Sequence, residues 1–210
     1  MKAVMIPIQP YWVFLIIARK MGWNIPLEKT VEVRKSQPNP SVWNRDAFIY
    51  CSKNKKSFNR IPAEYQPYMA KLLGKVVGEF MCDEIYTMSY SADYIAEYLF
   101  FSHAVKSIKE SQDLDAQKLL KDTCLSMQEA IDYMGKKRAC CGWHISDLQI
   151  YDKPRELSEF ERPCICIGEY EGEEYCDCLL CERSGDSDYG TVACDRHFTR
   201  SPQSWCYVEV

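Results

Sequence analysis

The apolar pattern opens with residues 3–8, a β-branched run closed by Gln9 and Pro10, which predicts a strand. Pro10 suits the first turn of a helix, where its missing N–H costs nothing. A helix is therefore expected over residues 11–21, with Gly22 as its stop signal. Residues 30–34 alternate Thr, Val, Glu, Val, Arg, which places Val31 and Val33 on one face of a strand. Thr30, Glu32 and Arg34 share the other face, free for chemistry. Residues 37–44, with two prolines, read as a loop, and residues 47–51 as a short strand. A basic stretch over 53–60 and a short helix over 65–73 ending at Gly74 follow. Residues 75–86 read as the next strand, in which Gly78 signals a bulge or a close backbone approach. From residue 91 to about 135 the pattern is helical, and Ser126 with Glu129 has capping-box spacing. Strand character returns over 143–151 and breaks at Asp152-Lys153-Pro154. Residues 155–202 are loop-rich and acidic, and 205–210 form a closing strand. This order predicts an α+β fold, a mostly antiparallel β-barrel with an early helix and a helical insertion over residues 89–137.

At 210 residues the chain has room for a sizeable core, and 47% hydrophobic with 27% charged residues is ordinary for a globular protein. The longest apolar run, residues 11–18, is far shorter than the ~20 residues of a bilayer span. Met1 and Lys2 precede a strand-like run without a small-residue cleavage site, so the expected location is cytoplasmic. The net charge of −4 conceals an asymmetry: residues 1–60 carry eleven Lys/Arg against three Asp/Glu. A basic amino-terminal third suits a small, defined anionic partner, and the overall acidity argues against indiscriminate coating of long nucleic acid.

Of the twelve cysteines, seven fall between Cys164 and Cys206. In a reducing compartment such clustering points to metal ligands or catalytic thiols rather than disulfides. Cys178-x2-Cys181-x12-Cys194-x2-His197 gives two close-spaced pairs, the arrangement of a tetrahedral zinc site. Cys164, Cys166 and Cys176 lie close enough in sequence to replace His197 or serve a second ion. Residues 163–200 are too polar to order themselves by burial, so a structural zinc staple is the expected role, ahead of a catalytic zinc.

Lys29-Thr30-Val31-Glu32-Val33-Arg34, following the first helix, resembles the signature of the ASCH family, which has a Gly, Lys, Glu and Arg at set spacings. Lys29, Glu32 and Arg34 match it, and the family glycine is out of register. Residues 75–80, 143–148, 151–154, 157–160 and 201–208 resemble later strands and turns of that family in the same order. The closing pattern, with its cysteine-bearing loop, is similar to small ASCH proteins of bacteriophages and Gram-positive bacteria. The resemblance covers residues 3–86 and 143–210. It implies a single PUA-like domain over 1–210, with a cleft between the first helix and the sheet that takes RNA or a nucleotide.

The residue chemistry agrees with that implication. Lys29 and Arg34 can hold phosphate or a base edge, and Glu32 can orient them or accept from a base amine. Tyr11 and Trp143 are candidates for base stacking, while Trp12 reads as buried. His144 reads as a satisfied structural histidine. An alternative is a hydrolase, either an amidohydrolase on an acylated cytidine or a ribonuclease, with Lys29 and Glu32 catalytic. Glu32 stands where the family amidohydrolase has its Thr, and no counterpart to that enzyme's Glu can be placed. A third reading is a protein–protein adaptor docking through residues 91–137.

Overall fold

The computed structural model describes residues 2–92, 97–103, 116–163, 167–170, 173–176 and 197–209. Strand β1 (Lys2–Ile8) leads directly into helix α1 (Pro10–Met21). Pro10 lies in the first turn, and Gly22 closes the helix at φ 64°, donating its N–H back to the Ala18 and Arg19 carbonyls. That left-handed conformation is open to glycine without steric penalty. Strands β2 (Val31–Arg34) and β3 (Trp43–Cys51) follow, then the short helices α2 (Lys55–Phe58) and α3 (Gln66–Ala70). The remaining elements are β4 (Lys75–Met81), β5 (Ile85–Ala92), β6 (Glu97–His103), α4 (Ala116–Thr123) and α5 (Met127–Met134). Strands β7 (Ala139–His144), β8 (Ser146–Glu156), β9 (Ile167–Tyr170), β10 (Glu173–Cys176) and β11 (Cys206–Val208) complete the chain.

The strands form a five-stranded sheet in the order β11-β1-β3-β4-β8 and a four-stranded sheet in the order β2-β7-β5-β6, with β9 and β10 as a separate hairpin. All described pairings are antiparallel except β1 with β3. The class is α+β as expected. Among the described residues the strands pair into two sheets and not into one closed ring. The chain crosses from one sheet to the other at Ile145, between β7 and β8, and again between β4 and β5.

Period-two alternation explains the burial. On β1, Val4, Ile6 and Ile8 join α1 in the main core, while Ala3 and Met5 pack on the other side with Phe48, Phe160 and Phe198. On β2, Val31 and Val33 pack with Leu119, Ala130 and Met134 from α4 and α5. The opposite face of β2 is not open, contrary to expectation: Glu32 and Arg34 are buried as well.

Several elements depart from the sequence-based expectations for physical reasons. The stretch expected as one strand over 75–86 breaks between Met81 and Ile85, where the chain changes sheets. The helical insertion expected over 89–137 begins as sheet, because β5 continues to Ala92 and pairs in a hairpin with β6. Residues 97–103 are rich in aromatics that favour a pleated surface, and the exposed edge of β5 offers them partners. Helix begins only at α4, and α5 starts from the expected Ser126 capping box. Strand β8 survives Pro154 because it is the sheet edge, and the β4 register jumps from Arg155 to Ile150. At Gly78 a Cβ would stand 2.2 Å from the Gln149 carbonyl oxygen, so the absence of a side chain lets β4 and β8 approach. No described helix is long and apolar enough to cross a membrane.

Candidate ligand-binding cavity

Lys29 stands two residues before β2, and its side chain is only 2% exposed. An ammonium carries three N–H donors. The Lys29 Nζ donates to the Val31 carbonyl at 2.8 Å and to the Thr123 carbonyl at 3.0 Å, and lies 3.3 Å from Glu32 Oε2. Thr123 is the last residue of α4, so Lys29 serves a terminal carbonyl that the helix itself leaves without a partner. The neighbouring Thr30 N–H donates to the Asp122 carbonyl at 3.0 Å, fastening the start of β2 to the same helix end. Arg34 Nη2 lies 2.8 Å from Glu32 Oε1 and donates to the Pro7 carbonyl at 2.9 Å. Glu32 therefore sits between two cations, with its side chain 7% exposed.

This triad is incompletely paired. Among the described residues, Glu32 Oε2 and Arg34 Nε are both buried without a hydrogen-bond partner. The 3.3 Å approach of Lys29 to Glu32 Oε2 is a close charge pair, but its geometry is not that of a directed hydrogen bond. One acceptor and one donor of the triad thus lack a directed hydrogen bond.

Lys29, Glu32 and Arg34 line a cavity of about 370 Å³, which falls in the range of small-molecule sites. Pro7, Gln9 and Trp12 line it from the β1–α1 junction, and Ser52 and Asn54 from the end of β3. Leu125 and Tyr133 come from the α4–α5 region, and Pro202 and Gln203 from the segment before β11. Burial pushes the Tyr133 hydroxyl up to about 12, with Arg34 opposing and Glu32 adding to the shift, so it is a neutral donor and acceptor at pH 7. The first turn of α1 has little to offer an anion: Pro10 has no N–H, and the Tyr11 N–H is taken by Ser57 Oγ at 3.0 Å. Asn54 Oδ1 accepts from the Ser57 N–H at 2.9 Å in capping α2. That contact leaves the Asn54 amide donors unused.

The structure brings together Lys29, Glu32 and Arg34 but separates the two stacking candidates from them. Trp143 is 0% exposed and packs 5.0 Å from Trp43, so it offers no face to a ligand. It shares the inward face of the small sheet with Glu32, its register partner, but lies deeper. Tyr11 meets Trp12 edge-on at 5.0 Å and carries the Arg60 guanidinium over its ring at 4.1 Å, outside the cavity lining. Trp12, expected to be buried, is half-buried and lines the cavity with its ring 5.2 Å from Lys29 Nζ. Sequence reasoning missed Gln9, Ser52, Asn54, Tyr133 and Gln203, and of these only Asn54 had a local signal, as a cap before Ser57.

Outside the cavity, His144 Nδ1 lies 2.7 Å from Asp83 Oδ1, the satisfied arrangement expected of it. Cys51, Cys82 and Cys140 are buried, which pushes each thiol up to about 12 and suits packing rather than nucleophilic chemistry. Of the expected zinc ligands, Cys164, Cys178, Cys181 and Cys194 lie outside the described residues, as does Cys166. His197 is described, with Nε2 3.5 Å from Glu161 Oε1. Among the described residues no group of three or more metal-ligating side chains converges.

No family model and no curated protein matches the sequence. Among solved structures the chain is similar to ASCH proteins. One is the crystal structure of ASCH from Zymomonas mobilis, at 15% identity and a TM-score of 0.47, covering 99% of this chain and 88% of that one. Another is a tyrosine-to-phenylalanine variant of that protein, with the same identity and TM-score, covering 100% and 91% respectively. The similarity is one of overall architecture, and the site rests on its own geometry.

Proposed function

We propose that the chain is an ASCH-type, PUA-like module, its two sheets forming the barrel, and that the cavity binds one nucleotide unit of an RNA or a free nucleotide. The observation that carries this reading is the buried Lys29–Glu32–Arg34 cluster in the cavity wall, in which Glu32 Oε2 and Arg34 Nε have no directed hydrogen bond among the described residues. A buried donor or acceptor without a partner costs about 1–3 kcal/mol, more when charged. A planar ligand edge that offers a donor to Glu32 and an acceptor to Arg34 answers both groups, and nucleobases present such edges. Trp12 then supplies an aromatic wall. The triad has a net charge of only +1, and two of the three Lys29 donors are already directed at protein carbonyls. Phosphate is therefore better served outside the triad, and exposed Lys55 and Lys56 directly follow the lining residue Asn54 in sequence.

The hydrolase alternative is weaker on the same geometry. A Lys29 ammonium held by two carbonyls and a carboxylate has no lone pair with which to accept a proton. Titration of the folded chain with the four nucleosides and their monophosphates, followed by calorimetry, tests the binding reading. At least one base should bind with a Kd that Glu32→Gln weakens about tenfold, the effect of a lost charge-assisted hydrogen bond. Raising salt should weaken the monophosphate more than the nucleoside. Equal, salt-only binding of all monophosphates and of ribose phosphate would refute base recognition.

We further propose that the segment from Cys164 to His197 holds one structural zinc ion, using ligands among Cys164, Cys178, Cys181, Cys194 and His197. The support is the knuckle spacing of sulfur and nitrogen donors, together with the Glu161 carboxylate beside His197. A carboxylate against one ring nitrogen is the usual partner of a metal-bound histidine. Elemental analysis of protein purified without chelator should find about one zinc per chain, and chelation should lower the Tm. Metal-free protein with an unchanged unfolding transition would end this proposal.

A further inference from the structure

From the cavity a series of aromatic rings in successive contact, from Trp12 to Tyr68, packs at the margin of the main core. Trp12 and Tyr11 meet at 5.0 Å, and both lie under the Arg60 guanidinium, at 5.0 Å and 4.1 Å respectively. Buried Phe14 links this end to the next, lying 6.0 Å from Trp23 and 5.2 Å from Tyr65. Trp23 stacks on Tyr65 at 4.7 Å and meets Tyr68 edge-on at 5.5 Å. Phe14 belongs to the core at 1% exposure, but Tyr11, Trp12, Trp23 and Tyr65 are only half-buried and Tyr68 is 38% exposed. The helix rises about 13 Å from Trp12 to its last residue, Met21, and Trp23 lies just beyond it, a span that accommodates several nucleotides.

Cations are interleaved with these rings. Between residues 53 and 71 the chain carries exposed Lys53, Lys55, Lys56, Arg60 and Lys71 against Glu64 as the one acid, and Lys20 is exposed near the end of α1. This local excess sits in a protein of net charge −4. Arg60 has its side chain 47% exposed, and its one ion pair among the described residues, to Glu129, is long at 3.8 Å. A guanidinium on an aromatic platform, with its outer face toward solvent, is itself a stacking surface.

We infer that this band is a track for single-stranded nucleic acid leading out of the cavity, so that the ligand is a chain of several nucleotides with one base seated against Glu32 and Arg34. The inference rests on the proposed nucleotide-binding cavity and deepens it from a unit to a polymer. Aromatic faces alternating with cations recognise unpaired strands without regard to sequence, because every base has a stacking face and every link a phosphate. A purely apolar protein partner has no use for the cations. An acidic peptide has no use for the stacking faces.

The test uses the intact chain and labelled oligonucleotides of one, three, six and nine residues, as RNA and as DNA of the same sequence. Affinity should climb at least about tenfold between the mononucleotide and the hexamer and then level off. Tyr68→Ser and Lys71→Ala, at exposed positions three residues apart and remote from the cavity, should each weaken hexamer binding several-fold and leave mononucleotide binding intact. Mononucleotide binding with no gain from length overturns the track and leaves the cavity reading standing. Length-dependent, Tyr68-sensitive binding without mononucleotide affinity supports the track and overturns the cavity reading. Absence of both overturns both, and displacement of the hexamer by poly-glutamate at equal charge concentration overturns the nucleic-acid assignment.

Discussion

Lys29→Ala is expected to destabilise the protein by about 3–5 kcal/mol, the cost of removing one partner from a buried ion pair. The substitution strips Glu32 of one of its two cations while Glu32 itself stays buried, and leaves the Val31 and Thr123 carbonyls without their donor. The link between β2 and the end of α4 then rests on the Thr30 N–H alone among the contacts of that turn. A shift of the denaturant midpoint at constant m-value reads this loss directly. Charge, and not only side-chain volume, should account for it. In Lys29→Met the stem is kept and most of the loss persists, whereas Lys29→Met combined with Glu32→Gln should recover roughly 1 kcal/mol or more, because the stranded carboxylate is gone. A loss below about 1 kcal/mol in Lys29→Ala, the value of an exposed pair, would mean that the triad is hydrated in solution. The double variant also separates stability from recognition, since it removes the charged acceptor on which the proposed base contact depends.

What could be read along the chain were the features that neighbours in sequence determine. Pro10 and Gly22 bracket α1 because one lacks an N–H and the other tolerates a left-handed turn. The alternation over β2 sorted Val31 and Val33 from Glu32 and Arg34 correctly, because a strand has period two. Gly78 announced a close approach, and the approach is that of the Gln149 carbonyl. The cavity itself is assembled from partners that no local pattern specifies. Arg34 and Lys29 are held by the carbonyls of Pro7 and Thr123, groups that every residue possesses. Leu125 and Tyr133 arrive from a segment whose helices begin only after an unforeseen hairpin, β5 with β6. That hairpin escaped notice because its pairing is decided by an available sheet edge, a tertiary circumstance. The exchange of roles between Trp12 and Trp143 has the same origin: face can be read from period, but depth along a face cannot.

Trp143 therefore supplies the second large effect. It sits on β7 opposite Glu32 of β2 and Ile85 of β5, fully buried, with Trp43 at 5.0 Å and Trp205 at 6.4 Å. Trp143→Ala should cost about 3–5 kcal/mol, since truncating a large buried aromatic forfeits its transfer energy and leaves a cavity between rigid sheets. Trp143→Phe should be far milder. It keeps most of the ring contact and removes an indole N–H that is buried without an acceptor, whose desolvation already costs the folded state about 1–3 kcal/mol. The two variants together distinguish packing from recognition. If Trp143 acts through packing, Trp143→Phe retains both the unfolding midpoint and any nucleotide affinity, whereas Trp12→Ala loses affinity with a smaller change in stability. A Trp143→Phe protein that folds normally but no longer binds would instead place Trp143 against the ligand, and the cavity would have to extend past Glu32 into the space between the sheets.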